Sequence, residues 1–290
     1  MNIEFIINPI AGKGKGKYIE EKIKAHFHDG DTVKIHYTAY PGHALIITQK
    51  ILLRAPDIIV ACGGDGTVNE VAHSLIHSAI PLGIIPIGSG NGLAAHLKIP
   101  KNTDKALQLL KKANTVSIDA GQVNRYYFFS NMGLGIDAAV IGRYEKVKQR
   151  NLWGYIKAGL WGIRNYRPAV YKVVWEEKLL KYPFFFLFCS NSNEAGYGIS
   201  FTPKAKINDG LLDVLCVESL TFTQQLYFSL LVLIRKIHTY RKAVTGQISF
   251  LEIESSEPEL HLQIDGEYKT IRENKIKIAV VKNAITVIIP

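Results

Sequence analysis

Apolar and polar positions divide the chain into two textures. Up to about residue 117, short β-branched runs lead through glycine turns into apolar residues at helical spacing. Ile3-Glu4-Phe5-Ile6-Ile7 predicts a buried strand, followed by a helix over about 17–27 and a strand over 32–38. Ile58-Ile59-Val60 predicts a second buried strand. It passes through Gly63-Gly64-Asp65-Gly66-Thr67 into a helix marked by Val68, Val71, Ala72, Leu75 and Ile76. The apolar run 81–86 opens the same way through Gly88-Ser89-Gly90-Asn91. This β-α alternation predicts an α/β domain with a mainly parallel sheet. Beyond residue 119, strand-like runs dominate at 126–130, 169–175, 183–190, 211–217, 248–253, 260–264, 276–281 and 284–289, predicting a mainly antiparallel β domain.

The glycine turns carry the candidate chemistry. Glycine lets the backbone take positive φ and approach a ligand, and a helix starting just beyond aims free N–H groups at a phosphate. A carboxylate beside such a site, Asp65, suits holding Mg²⁺ or taking a proton from an attacking hydroxyl; a plain strand-to-helix turn is the alternative. The loop Asn8-Pro9-Ile10-Ala11-Gly12-Lys13-Gly14-Lys15-Gly16-Lys17 can wrap phosphates with N–H groups and positive charge. It is not a P-loop: the Gly12 to Gly16-Lys17 spacing is one residue short, and Tyr18 stands where Ser or Thr would hold Mg²⁺. Asp137 and Asp209 each suit an ordinary turn, and Asp265-Gly266-Glu267 suits a hairpin that leaves two carboxylates projecting at its tip.

The nonapeptide GGDGTVNEV (63–71) resembles the signature of the diacylglycerol kinase, sphingosine kinase and bacterial lipid kinase family, within the superfamily of NAD kinase and phosphofructokinase. The Asn-Pro loop, Thr38 with Gly42-His43-Ala44, the GSGN at 88–91 and the DGE at 265–267 resemble its other motifs, and the resemblance spans nearly the whole chain. It implies a nucleotide-binding α/β domain (1–117) and a β-sandwich acceptor domain (118–290) whose last strand can return to the first, with the active site in the cleft between them. It implies ATP contacts at Asn8, Gly12, Lys13, Thr38, Gly63, Gly64, Gly66, Thr67, Glu70, Gly88, Ser89 and Asn91, and catalytic roles for Asp65 and Glu267. Asp137 falls where sphingosine kinases present an aspartate to the lipid head, and Asp209, Asp213 and Asp265 are the expected metal ligands. His43 is read as a capping or packing residue.

The implied reaction is transfer of the γ-phosphoryl group of ATP, with Mg²⁺, to a hydroxyl of a lipid alcohol of diacylglycerol or sphingoid type. A kinase for a soluble acceptor such as NAD, and a non-catalytic nucleotide or lipid sensor, are the alternatives.

Charge and hydropathy place these chemistries. The net charge of +10 suits an anionic membrane face or nucleic acid. No zinc spacing, aromatic RNA-binding strand or helix-turn-helix pattern supports nucleic acid. No apolar run nears the roughly 18 residues that span a bilayer, and no signal peptide is evident. A cytoplasmic protein in transient membrane contact is expected; the oligomeric state is left open, a homodimer included. Cys62, Cys189 and Cys216 read as buried thiols. The apolar helix at 226–234, with Arg235, Lys236, His238, Arg241 and Lys242 after it, reads as buried; the amphipathic stretch 152–166 is the better interfacial candidate.

Overall fold

A computed structural model describes residues 1–28, 30–147, 152–176, 178–196 and 198–290. The chain divides into two compact units, residues 1–119 with 282–290, and residues 120–281.

The first unit begins β1 (Asn2–Ile7), a single turn α1 (Ala11–Gly14), α2 (Gly16–His26), β2 (Thr32–Tyr37), α3 (His43–Leu52) and β3 (Ile58–Gly63). It continues with α4 (Asp65–Ser74), β4 (Leu82–Pro86), α5 (Gly92–His96), α6 (Thr103–Lys112) and the start of β5 (Thr115–Val123). Strands pair in parallel in the order β2-β1-β3-β4. β1, β3 and β4 are buried on both faces, in keeping with runs that are apolar except for Glu4. Helix α2 turns Ile19 and Ile23 inward, α3 Ile47 and Ile51, and α4 Val68 and Val71. α6 is N-capped by Asn102, whose side chain accepts from the Lys105 N–H.

The second unit holds β6 (Tyr126–Phe128), β7 (Asn131–Gly135), α7 (Ile136–Glu145), α8 (Leu152–Asn165), β8 (Ala169–Trp175), β9 (Lys178–Ser190) and β10 (Leu212–Glu218). Then come α9 (Phe222–Leu233), β11 (Ala243–Ile248), β12 (Phe250–Ser255), β13 (Leu260–Ile264), β14 (Glu267–Ile271) and β15 (Lys275–Ile288). Antiparallel pairing runs β14-β13-β7-β9-β8-β12-β15, with β10 joining β9 to β11. β15 crosses the division: Ile276 and Ile278 pair with β12, and Val287 pairs in parallel with Leu82. The stretches expected as two strands at 276–289 are this one.

β9 is covered on both sides. Phe184, Leu187 and Cys189 enter a core with Val173, Leu212, Val214, Leu251 and Ile276, while Phe185, Phe186 and Phe188 enter a second core under α7, α8 and α9. A register shift against Val217/Glu218 accounts for two adjacent phenylalanines on the helix side. The three cysteines are buried thiols.

Candidate active site

In the first unit the three glycine motifs meet at the C-terminal ends of β1, β3 and β4. After β1, Asn8 Nδ2 donates to Thr67 Oγ1 at 3.2 Å, and Asn8 Oδ1 accepts from the Ile10 N–H. Gly12 is left-handed (φ 60°), and a Cβ there would stand 2.8 Å from the Ile87 carbonyl oxygen. Gly64 and Gly88 touch backbone to backbone: a Cβ on Gly88 would lie 2.4 Å from Gly64 Cα. The N–H groups of Ile87 and Gly88 both donate to the Gly63 carbonyl. Turns at the carboxyl ends of adjacent parallel strands are where open α/β sheets bind ligands.

Asp65, in the first turn of α4, ties two of these motifs together. Its Oδ2 accepts from the Asn91 N–H and its Oδ1 from the Gly92 N–H, both at 2.7 Å. Asn91 is itself left-handed (φ 56°), and its amide folds back on Gly88, accepting from the N–H at 3.0 Å and donating to the carbonyl at 2.7 Å. That side chain closes its own loop instead of capping α5. Ser89 and Lys13 are exposed, and Gly66 lies within α4. Glu70 is directed to α3, where its carboxylate accepts from the N–H groups of Gly42 and Ala44 at 2.7 and 2.9 Å; this caps a helix whose N-cap, Gly42, has no side chain. Thr38 continues β2, donating its N–H to the Ile7 carbonyl. His43 accepts from the Ala39 N–H and stacks on Tyr40, a packing role.

In the second unit Asp265 and Gly266 form a two-residue hairpin with φ of 46° and 82°, as tight antiparallel connections favour. Only one of its two carboxylates projects as expected. Asp265 is buried and accepts from the N–H groups of Phe129, Ser130 and Asn131, each at 2.9 Å. A carboxylate so committed to backbone donors is a strut, which corrects its reading as a metal ligand. Glu267 opens β14 and pairs with Lys269 Nζ at 2.9 Å.

Asp137 is enclosed at the start of α7. Its Oδ2 is buried without a hydrogen-bond partner, and a Cβ on Gly133 would fall 2.0 Å from it. Burial pushes its carboxyl up to about 7, against the lowering effect of a hydrogen bond from Gln263. Gln263 also donates to Asn131 Oδ1 at 2.7 Å and accepts from the Gly266 N–H at 2.8 Å. The Asp137 carboxyl and the hairpin thus share one amide. Sequence reasoning passed over Gln263 and Asn131; the alternation of β13 puts Gln263 on the face of the exposed His261, opposite Leu262 and Ile264, so nothing local marks it as buried.

Asp209 Oδ1 accepts from the Leu211 N–H and Oδ2 from Gln247 Nε2. Asp213 Oδ2 is buried without a partner, and burial raises that carboxyl, with the Asp209 charge acting in the same direction. Among the described residues no three His, Cys, Asp or Glu side chains gather as a metal site, so the expected aspartate trio is not assembled.

Residues 2–123 match the diacylglycerol kinase catalytic domain, and residues 130–289 match the YegS C-terminal NAD kinase beta sandwich-like domain. The chain belongs to this lipid kinase family. It is 29% identical to the probable lipid kinase YegS-like of Yersinia enterocolitica, over 96% of this chain and 95% of that one. It is 27% identical to the diacylglycerol kinase of Bacillus subtilis, over 91% and 88%. Among solved structures, a diacylglycerol kinase from Bacillus anthracis shares the fold with a TM-score of 0.73 at 21% identity, covering 100% of this chain and 97% of that one. An Archaeoglobus fulgidus NAD kinase in complex with ATP shares it at 0.55 and 13%, covering 99% and 93%. The fold is therefore that of the diacylglycerol and NAD kinases, and the chain is of a kinase family.

Proposed function

We propose that the protein transfers the γ-phosphoryl group of ATP to a hydroxyl of a lipid alcohol, with Mg²⁺. The observation that carries this reading is the meeting of three glycine turns around the Asp65 carboxylate. Phosphoryl transfer asks for positioning and charge neutralisation more than covalent chemistry. The backbone around Gly12, Gly64 and Gly88, with Lys13, Asn8 and Thr67, holds the phosphates. Asp65 orients the acceptor hydroxyl or takes its proton as the new O–P bond forms and ADP leaves. Glu267 serves the same reaction, and the unspent Oδ2 of Asp137 receives a polar group of the acceptor.

Mg²⁺, when bound with ATP, neutralises charge on the β- and γ-phosphates. A second, structural cation fits Asp209 and Asp213, because a buried carboxylate oxygen lacking a partner beside another carboxylate is a hard-cation donor set in part. Asp265 does not fit.

The test is transfer of labelled γ-phosphate from ATP into the organic phase, using mixed micelles of diacylglycerol, monoacylglycerol, a sphingoid base, ceramide or phosphatidylglycerol. Product from one class, abolished in Glu267→Gln with nucleotide binding kept, supports the reading and names the acceptor. Nucleotide binding with no lipid product overturns it in favour of a soluble acceptor or a sensor.

A further inference from the structure

The second unit holds a cavity of about 670 Å³ that the proposed reaction does not use. It lies between two turns: Asn124-Arg125, which joins β5 to β6, and residues 272–274, which join β14 to β15. Glu267 stands at the other end of β14, about 13 Å along the strand from Ile271.

Asn124 builds the wall. It is left-handed (φ 50°), its N–H donates to the Lys277 carbonyl at 3.0 Å, and its Oδ1 accepts from the Lys277 N–H at 2.9 Å. The β5–β6 turn is thereby fastened to β15. Asn124 Nδ2 donates to Glu273 Oε2 at 3.1 Å, so the one carboxylate of the lining is engaged by a neutral amide.

Four exposed cations line the cavity: Arg125, Arg272, Lys275 and Lys277. The acids nearby leave much of this charge unspent. Glu252 on β12 stands opposite Lys277 in register but pairs with Lys275, and Glu254 pairs with Lys172. Glu273 acts on Arg125 through its charge, without an ion pair. Arg272 and Lys277 have no ion-pair partner among the described residues. Arg125 is held ready: its guanidinium lies over the Tyr126 ring at 5.1 Å and donates to the Tyr126 hydroxyl at 3.0 Å. A guanidinium already fixed loses less freedom when it binds.

This chemistry selects the ligand. An arginine fork takes two phosphate oxygens at once and a lysine adds a point charge, and four cations against one engaged carboxylate exceed what a single phosphate neutralises. No exposed apolar side chain lines the cavity. Such side chains gather on α9 instead, where Phe222, Leu226, Leu230 and Leu233 correct the expectation of a buried helix. A cavity of this size without an apolar rim suits a solute, not a bilayer.

We infer that this cavity binds a soluble small molecule carrying two or more phosphate groups. The site is separate from the transfer machinery, and its test needs no turnover.

Sodium pyrophosphate is titrated into the full ¹⁵N-labelled chain at low salt without Mg²⁺, and amide shifts are followed. Shifts at residues 124–126 and 272–277 are expected, with inorganic phosphate about tenfold weaker there. Arg272→Gln/Lys277→Gln should weaken pyrophosphate at these amides about tenfold or more, whereas Lys13→Gln, in the glycine loop after β1, should not. The map of the parent needs no variant, so the test holds even if the double variant folds poorly. Shifts confined to residues 8–17 overturn the proposal, as does unchanged affinity in a folded double variant. Binding of phosphatidylglycerol vesicles through Arg272 and Lys277, with no response to pyrophosphate, overturns the assignment to a solute.

Discussion

The Asp65 carboxylate accepts the backbone N–H of Gly92 at 2.7 Å, and its other oxygen accepts that of Asn91 at the same distance. The residue proposed to act on an acceptor hydroxyl is therefore also the clasp that sets the GSGN turn. An asparagine there keeps one acceptor oxygen and turns an NH₂ toward a backbone donor. We expect Asp65→Asn to lose about 1–2 kcal/mol of stability in urea titration and to weaken binding of a non-hydrolysable ATP analogue, besides losing turnover. A variant with unchanged stability and nucleotide binding but no turnover would confine Asp65 to the reacting atoms.

Backbone contact between Gly64 and Gly88 leaves no room for a methyl group. Gly88→Ala should cost about 1–3 kcal/mol and reduce nucleotide affinity, because the clash is with backbone that cannot rotate away. Gly14→Ala is the contrast: its φ of 84° is strained for alanine, but nothing lies within 4 Å of the added carbon. It should cost only about 1 kcal/mol, from backbone strain alone. Chemical denaturation of both variants separates crowding from strain.

Much of this is legible in the sequence. The buried strands and the turns that end them are spelled by short, mainly apolar runs rich in β-branched residues and by glycine, which is needed at Gly12 for its left-handed backbone and at Gly64 and Gly88 for their close approach. Side-chain direction was less legible. Glu70, one turn into a motif helix, satisfies the N-terminus of α3, 26 residues back in sequence at Ala44, and nothing local announces that. Asp265 looks like a projecting turn carboxylate until residues 129–131, far away in sequence, supply three N–H groups. Glu4 is buried in an apolar strand because His36, Lys34 and Arg54 reach it from other elements. The exposure of α9 was equally hidden, since a helix apolar on most sides reads as buried unless one knows what covers it.

The Asp265 strut should be among the more costly surface-turn positions to alter. Removing its carboxylate strands three backbone donors in the interior, each costing about 1–3 kcal/mol when unsatisfied. Asp265→Ala should lose at least about 3 kcal/mol, and Asp265→Asn, which keeps one acceptor and tolerates a left-handed backbone, should lose less. Equal and small losses in urea titration would show that water replaces the carboxylate.

Asp137 makes stability depend on pH in a direction opposite to most carboxylates. Its folded-state carboxyl is raised from 3.8 to about 7 by burial, so between those values the folded protein holds a proton that the unfolded chain releases. Unfolding is then favoured as pH rises: the stability present below about pH 4 is lost progressively toward pH 7 and is constant above it. Three units correspond to about 4 kcal/mol as an upper bound. Asp213, also raised by burial, acts in the same sense, so the informative quantity is the difference between parent and variant. Asp137→Asn cannot titrate, and Gln263 can still hydrogen-bond to it. Urea titrations from pH 4 to 8 should show a shallower fall in the variant, which gains on the parent as pH rises and leads it most at pH 8. Parallel curves would mean that Asp137 is ionised in the fold throughout, and that its buried Oδ2 is satisfied by water.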